Sequence, residues 1–256
     1  MAGLGGGRAR RAAQPRATLT PARSADPATI RTIARFLQPL RRYHRFEVEG
    51  MENVPREGAC LLVVHHSLAT YDGFLLGGAI FEQTGRVPVG LGDDRIFQLD
   101  GLGKLAREIG LVPASPDAGE QALRAGHIVG VAPGGMWEAL RPWTERRTSR
   151  WEGRRGFARL ALRTGAPVVC AACPAADDIF KVYPNRVTDA VYRRSHWPIP
   201  IVRGVGPTLF PRRVKLTGYY APAVVPPPYD PTREDEQIDA LLKAVNERMA
   251  ELLRRQ

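Results

Sequence analysis

The tightest constraint on what this chain can fold into is an alternation. Short apolar runs recur along it, separated by helix-length segments, most of which are closed by a glycine. The runs predict strands over residues 45–49, 59–64, 87–91, 128–132, 168–172 and 214–219. Helices are expected over 73–83, 102–109, 118–124 and 156–164, with Gly85, Gly110, Gly126 and Gly165 at their exits, where glycine costs least in the left-handed turn. Strands that read as continuous apolar stretches are covered on both faces, so helices must flank them. The fold class predicted is α/β: one domain with a mixed, mostly parallel sheet between helices.

The two ends differ from this body. Residues 1–26 are rich in Gly, Ala, Pro and Arg without hydrophobic periodicity and read as a flexible basic tail, leaving 27–256 as the domain. Ile30, Ile33, Leu37 and Leu40 then recur at helical spacing, predicting an amphipathic helix over 27–43 with a kink at Pro39. The stripe fits a helix lying in a membrane interface and equally one packed on the domain. A last helix is expected over 232–254, opened by a capping box at Thr232-Arg233-Glu234-Asp235 after the proline-rich stretch 222–231.

Charge narrows the partners. The net charge is +11, but residues 1–45 hold ten arginines against one aspartate, so +9 lies there and +2 in the remainder. A body so nearly neutral argues against a main surface for nucleic acid; anionic lipid headgroups are the better partner for the basic segment. No apolar run approaches the roughly 18 residues of a spanning helix, and the N-terminal segment lacks the apolar core of a secretory signal. A cytoplasmic protein associated peripherally with a membrane is therefore expected. Cys60, Cys170 and Cys173 are too few for a disulfide framework, and Cys170 and Cys173, though two residues apart, end an apolar strand and read as buried thiols; no metal site is expected. Neither a Gly-x-Ser-x-Gly elbow nor a phosphate loop occurs.

The passage that carries chemistry runs from Leu61 to Phe74, an apolar strand that enters His65-His66-Ser67-Leu68-Ala69-Thr70-Tyr71-Asp72 and then a helix. A histidine at a strand end can take a proton from a hydroxyl near neutral pH, and a carboxylate beside it stabilises the imidazolium that forms. On a continuous helix, residues six apart would face different ways, so His66 and Asp72 can meet only if the chain between them turns back. The alternative is a structural histidine with Asp72 as a helix N-cap.

Here the sequence resembles the lysophospholipid and diacylglycerol acyltransferase superfamily, whose first motif is a His followed at short range by an Asp after an apolar strand. Most members place four residues between the two; this chain places five, as in the branch related to diacylglycerol acyltransferases, and His66 matches better than His65. Gly101–Pro113 is similar to the second block, but Ala114-Ser115 stands where an arginine usually contacts acceptor phosphate. In the third block, Pro133-Gly134-Gly135-Met136-Trp137-Glu138 replaces Pro-Glu-Gly-Thr-Arg, so Trp137 stands for the phosphate-binding arginine. Residues 155–169 resemble the fourth block, a helix and its returning strand.

The resemblance implies transfer of a fatty acyl group from acyl-CoA or acyl-carrier protein, as co-substrate and without another cofactor, to a lipid hydroxyl. His66 would be the general base and Asp72 its partner, with Gly134, Gly135 and Glu138 binding substrate. The missing arginines imply a neutral acceptor such as diacylglycerol, with lysophosphatidate or another lysophospholipid as the alternative. A non-catalytic lipid-binding relative is the rival from another class.

Overall fold

The computed structural model describes residues 27–195 and 199–255. The tail expected over 1–26 lies outside them. Helix α1 (Pro27–His44) runs through Pro39 and leads into β1 (Glu47–Glu49) and β2 (Cys60–Val64). Then come α2 (Tyr71–Thr84), β3 (Val89–Gly92), α3 (Leu102–Glu108), β4 (Leu111–Pro113), α4 (Pro116–Arg124) and β5 (Ile128–Val131). A short α5 (Gly135–Ala139) precedes α6 (Gly156–Thr164) and β6 (Val168–Ala172). An excursion of β7 (Lys181–Tyr183), α7 (Arg186–Ser195) and β8 (Ile201–Arg203) follows before β9 (Thr217–Tyr220) and α8 (Glu234–Leu253) close the chain.

Seven strands form one sheet in the order β1-β9-β6-β2-β5-β3-β4, while β7 and β8 pair antiparallel by themselves. The five strands from β6 to β4 run parallel; β9 runs against β6 and carries β1 beside it. This is a single α/β domain with a mostly parallel mixed sheet. Period-two alternation assigns the faces: Leu61 and Val63 of β2 pack toward α4, α6 and α8, whereas Cys60 and Leu62 pack toward α2. Each fully buried leucine in such layers is worth about 2–5 kcal/mol against alanine.

One local expectation is corrected. Thr232 opens no capping box: Asp230 accepts from the Thr232 backbone N–H to cap a 3₁₀ turn, and α8 starts after Arg233 with no side-chain cap. The excursion 181–203 adds a hairpin and a helix that no apolar run announces. Helix α1 is packed through Leu37 onto the cluster around Leu75, Ile179 and Leu216, yet leaves Phe36 78 % exposed. No helix among the described residues is long and apolar enough to cross a membrane.

Candidate active site

Central strand β2 lies between β5 and β6, so the loops leaving three parallel strands meet at one edge of the sheet. Polar side chains collect at such carboxyl ends because the flanking helices cover the faces and leave the strand ends open. His65 continues the ladder of β2, its N–H donating to Ala171 O at 3.0 Å, which aims the following residues over the edge.

His66 is half-buried, and its Nδ1 lies 2.9 Å from the Ser67 carbonyl oxygen. A carbonyl only accepts, so Nδ1 carries the proton and the neutral ring presents its lone pair on Nε2. That nitrogen has no hydrogen-bond partner among the described residues. Asp72 is buried in the first turn of α2, where the N-cap position belongs to Thr70 and forms no side-chain cap. The N-cap alternative for Asp72 therefore fails. Its Oδ1 accepts from the Ser67 hydroxyl at 2.8 Å, while its Oδ2 is buried without a partner. No direct hydrogen bond joins His66 and Asp72; Ser67 bridges them, its carbonyl taking the imidazole N–H and its hydroxyl the carboxylate. Burial pushes the Asp72 carboxyl above the usual carboxylate range, and the strongest opposing influence is the charge of His66. The turn needed to bring the two together is made by Thr70, which sits at φ 61.

His65 is 1 % exposed and sits in a charged cluster that the sequence does not announce. Its Nδ1 is 3.4 Å from Glu138 Oε1; its Nε2 lies 3.3 Å from Asp177 Oδ2 and 2.8 Å from Arg141 Nη2. Burial disfavours the imidazolium, but the Asp177 and Glu138 carboxylates outweigh it and raise the His65 pKa. Burial likewise works against the Asp177 carboxylate, and His65 and Arg141 with the Arg147 backbone N–H bring its pKa below the ordinary value. The Arg141 guanidinium can only donate and carries positive charge, so with burial it works against the imidazolium.

Arg141 ties the two histidines together. Its guanidinium donates to the His66 carbonyl at 3.3 and 3.4 Å and to the Glu138 carbonyl at 3.1 Å, holding the loop after β2 against α5. Gly134, Gly135 and Glu138 are thus brought to the same edge as His66, but not in equal roles. A Cβ on Gly134 would lie 2.6 Å from the Arg150 carbonyl oxygen and 2.4 Å from Glu138 Cβ, so only glycine fits. The Gly134 N–H meets no acceptor among the described residues, whereas the Gly135 N–H is spent on Ala132 O at 3.0 Å. Glu138 points inward, fully buried beside His65 with Oε1 also accepting from the Arg150 N–H at 3.3 Å; it lines no open pocket. Trp137 is stacked on Tyr192 with centroids 5.4 Å apart, and the guanidiniums of Arg150 and Arg193 lie 5.2 and 5.4 Å from its ring.

Cys170 and Cys173 are free and buried, and burial pushes Cys170 up to about 12, which leaves neither a nucleophile nor a redox pair. Among the described residues no His, Cys, Asp and Glu cluster could hold a metal. Sequence reasoning missed Ser67, Arg141 and Asp177, and weighed His65 only as the lesser match to the motif histidine. Arg141 had a faint signal, lying three residues after Glu138 just beyond the end of α5; Asp177, far downstream, had none.

Comparison with known proteins bears on this arrangement. The chain is 27 % identical over 197 residues to the human "DGAT1/2-independent enzyme synthesizing storage lipids", covering 77 % of this chain and 58 % of that protein. It is 29 % identical over 187 residues to an uncharacterised protein of Mycobacterium tuberculosis, covering 71 % and 52 %. The chain spans about half the length of the curated relatives it matches. Its fold is similar to that of the crystal structure of the 1-acyl-sn-glycerophosphate acyltransferase PlsC from Thermotoga maritima, with TM-score 0.53 and 17 % identity over 88 % of this chain and 81 % of that one. The Acyltransferase family model matches residues 45–174, from the entry into β1 to just beyond β6, and the chain accordingly belongs to the acyltransferase family.

Proposed function

We propose that this protein transfers a fatty acyl group from a thioester, acyl-CoA or acyl-carrier protein, to the hydroxyl of a lipid. The observation that carries the reading is His66: its Nδ1 proton is held by Ser67 O, so its Nε2 lone pair is free at the edge of the sheet. The acceptor hydroxyl gives its proton to Nε2 as its oxygen attacks the thioester carbonyl. The Gly134 N–H is the donor positioned for the oxyanion of the tetrahedral intermediate, a role that Gly135 cannot share because its N–H is occupied. When the intermediate collapses, the carbon–sulfur bond breaks and the departing thiolate takes the proton back from His66. Asp72 lowers the cost of the transient imidazolium through space and through Ser67. No acyl-enzyme is needed, since the acceptor attacks directly.

A neutral acceptor such as diacylglycerol is the preferred substrate. Support comes from Trp137, which fills with a buried indole the place where the resemblance expects a phosphate-binding arginine, and from relatives whose name refers to storage lipids. One observation favours the second reading, a lysophosphatidate acceptor: Arg150 and Arg193 bring positive charge back to Trp137 from other segments. Competing labelled diacylglycerol and lysophosphatidate in one assay separates the two. Label entering triacylglycerol supports the neutral acceptor; exclusive use of lysophosphatidate overturns it.

A further inference from the structure

Between β6 and β9 the chain leaves the main sheet for residues 179–213, and this excursion differs from the rest of the surface. It carries six arginines and Lys181 against one carboxylate, Asp189. Arginines of the domain core pair widely with Asp and Glu: Arg124, Arg146, Arg147, Arg150, Arg155 and Arg163 all do so. Arg186, Arg193, Arg194, Arg203, Arg212 and Arg213 have no ion-pair partner among the described residues. Large apolar side chains are exposed between them. Val187, Ile199, Ile201, Val205, Leu209 and Phe210 make up nearly half of the exposed large hydrophobic residues described, and Leu209 is 68 % exposed.

The hairpin shows how the two kinds of residue are combined. Pairing sets Lys181 opposite Arg203 and Tyr183 opposite Ile201, so all four share one face of β7 and β8. On that face Lys181 lies 3.7 Å from the centroid of Trp143 and 5.6 Å from that of Tyr183, and Arg203 lies 5.8 Å from Tyr183. The opposite face turns Val182 inward, where with Phe180 and Leu68 it lines a cleft that also holds Arg141 and Asp177. One side of the hairpin thus borders the cleft that holds Arg141 and Asp177, and the other is a mixture of cations, aromatic rings and aliphatic chains toward solvent. Unpaired arginines lack counter-ions, and exposed aliphatic side chains lack an apolar medium; an anionic bilayer surface supplies both. A free polyanion supplies only the first.

We propose that the 179–213 excursion is a docking surface for an anionic lipid bilayer, which sets the cleft over Arg141 and Asp177 against the membrane. The surface is distinct from the basic N-terminal segment, and binding there is measurable whether or not the acyl-transfer reading holds. The test is co-sedimentation of the full chain with vesicles of phosphatidylcholine alone or mixed with phosphatidylglycerol. Val205→Asp/Leu209→Asp and Arg203→Glu/Arg213→Glu change only exposed side chains, and thermal unfolding verifies that each variant is folded. The wild type is expected to sediment with the mixed vesicles, each double variant to bind roughly tenfold more weakly or worse, and Phe36→Asp in α1 to bind as the wild type does. Three results overturn the proposal: both double variants sediment like the wild type, the loss is confined to Phe36→Asp, or the chain binds soluble heparin but neither kind of vesicle. Turnover of a detergent-dispersed acceptor, measured alongside, reports the chemistry separately.

Discussion

Ser67 does more for this site than its place between two recognisable residues suggests. Its carbonyl sets the tautomer of His66, and its hydroxyl makes the one hydrogen bond that the Asp72 carboxyl has among the described residues. Asp72 is consequently a buried carboxylate with an orphan oxygen and a raised pKa, which is expensive for the fold and useful for stabilising a transient imidazolium. A carboxyl whose pKa is higher folded than unfolded lends stability at low pH and loses it as pH rises through the folded value. At neutral pH, therefore, Asp72→Asn removes a buried charge while keeping an oxygen for Ser67. The expected outcome is acyl transfer reduced by about 10²–10⁴ with a thermal midpoint equal to or above the wild type. A clear fall in the midpoint would show that Asp72 serves the fold rather than the reaction.

The elements contribute unequally to what can be read in advance. The pattern places α6 over 156–164 and β6 over 168–172 at their observed bounds, because a continuous apolar strand and a helix ended by Gly165 leave little freedom. By contrast β7 and β8 have three residues each and between them fully bury only Val182, and α7 buries only Thr188, so neither period rises above the surrounding arginines. The site divides in the same way. His66 and Asp72 are legible because they flank one turn; the quartet of His65, Glu138, Arg141 and Asp177 is assembled by the loops after β2, α5 and β6, which only the strand order brings together. That quartet bolts the three loops to one another, and its pH dependence has a definite sign. The contribution of His65, whose folded pKa is raised, is fully present below the ordinary histidine value of about 6.5 and is lost as pH rises through the folded one. The contribution of Asp177, whose pKa is lowered, is fully present above about 3.9 and is lost as pH falls through its folded value. Stability from the cluster should thus be greatest between about pH 4 and 6.5. Thermal midpoints across pH should decline on the alkaline side in the wild type and flatten in His65→Gln; an unchanged alkaline decline in the variant would remove His65 from this role.

In the molecule as a whole, one sheet edge holds a free imidazole lone pair, an uncommitted amide and a buried carboxylate, while the excursion beside it carries the unpaired arginines and exposed aliphatic chains. The family match spans the sheet from β1 to β6 and so includes the edge, whereas the excursion lies beyond it. Chemistry and docking are therefore separable, and substitution at one should spare the other. What unites the reading is that His66 Nε2 removes the acceptor proton. The most direct check compares wild type and His66→Ala on a defined acyl thioester with a panel of lipid acceptors, identifying each acylated product by mass. Wild type should yield a mass increase of one acyl group on a lipid hydroxyl, and the folded His66→Ala variant should lose on the order of 10²–10⁴ of the rate. Near-normal transfer by the variant, or no acylated product from the wild type on any acceptor, would contradict it.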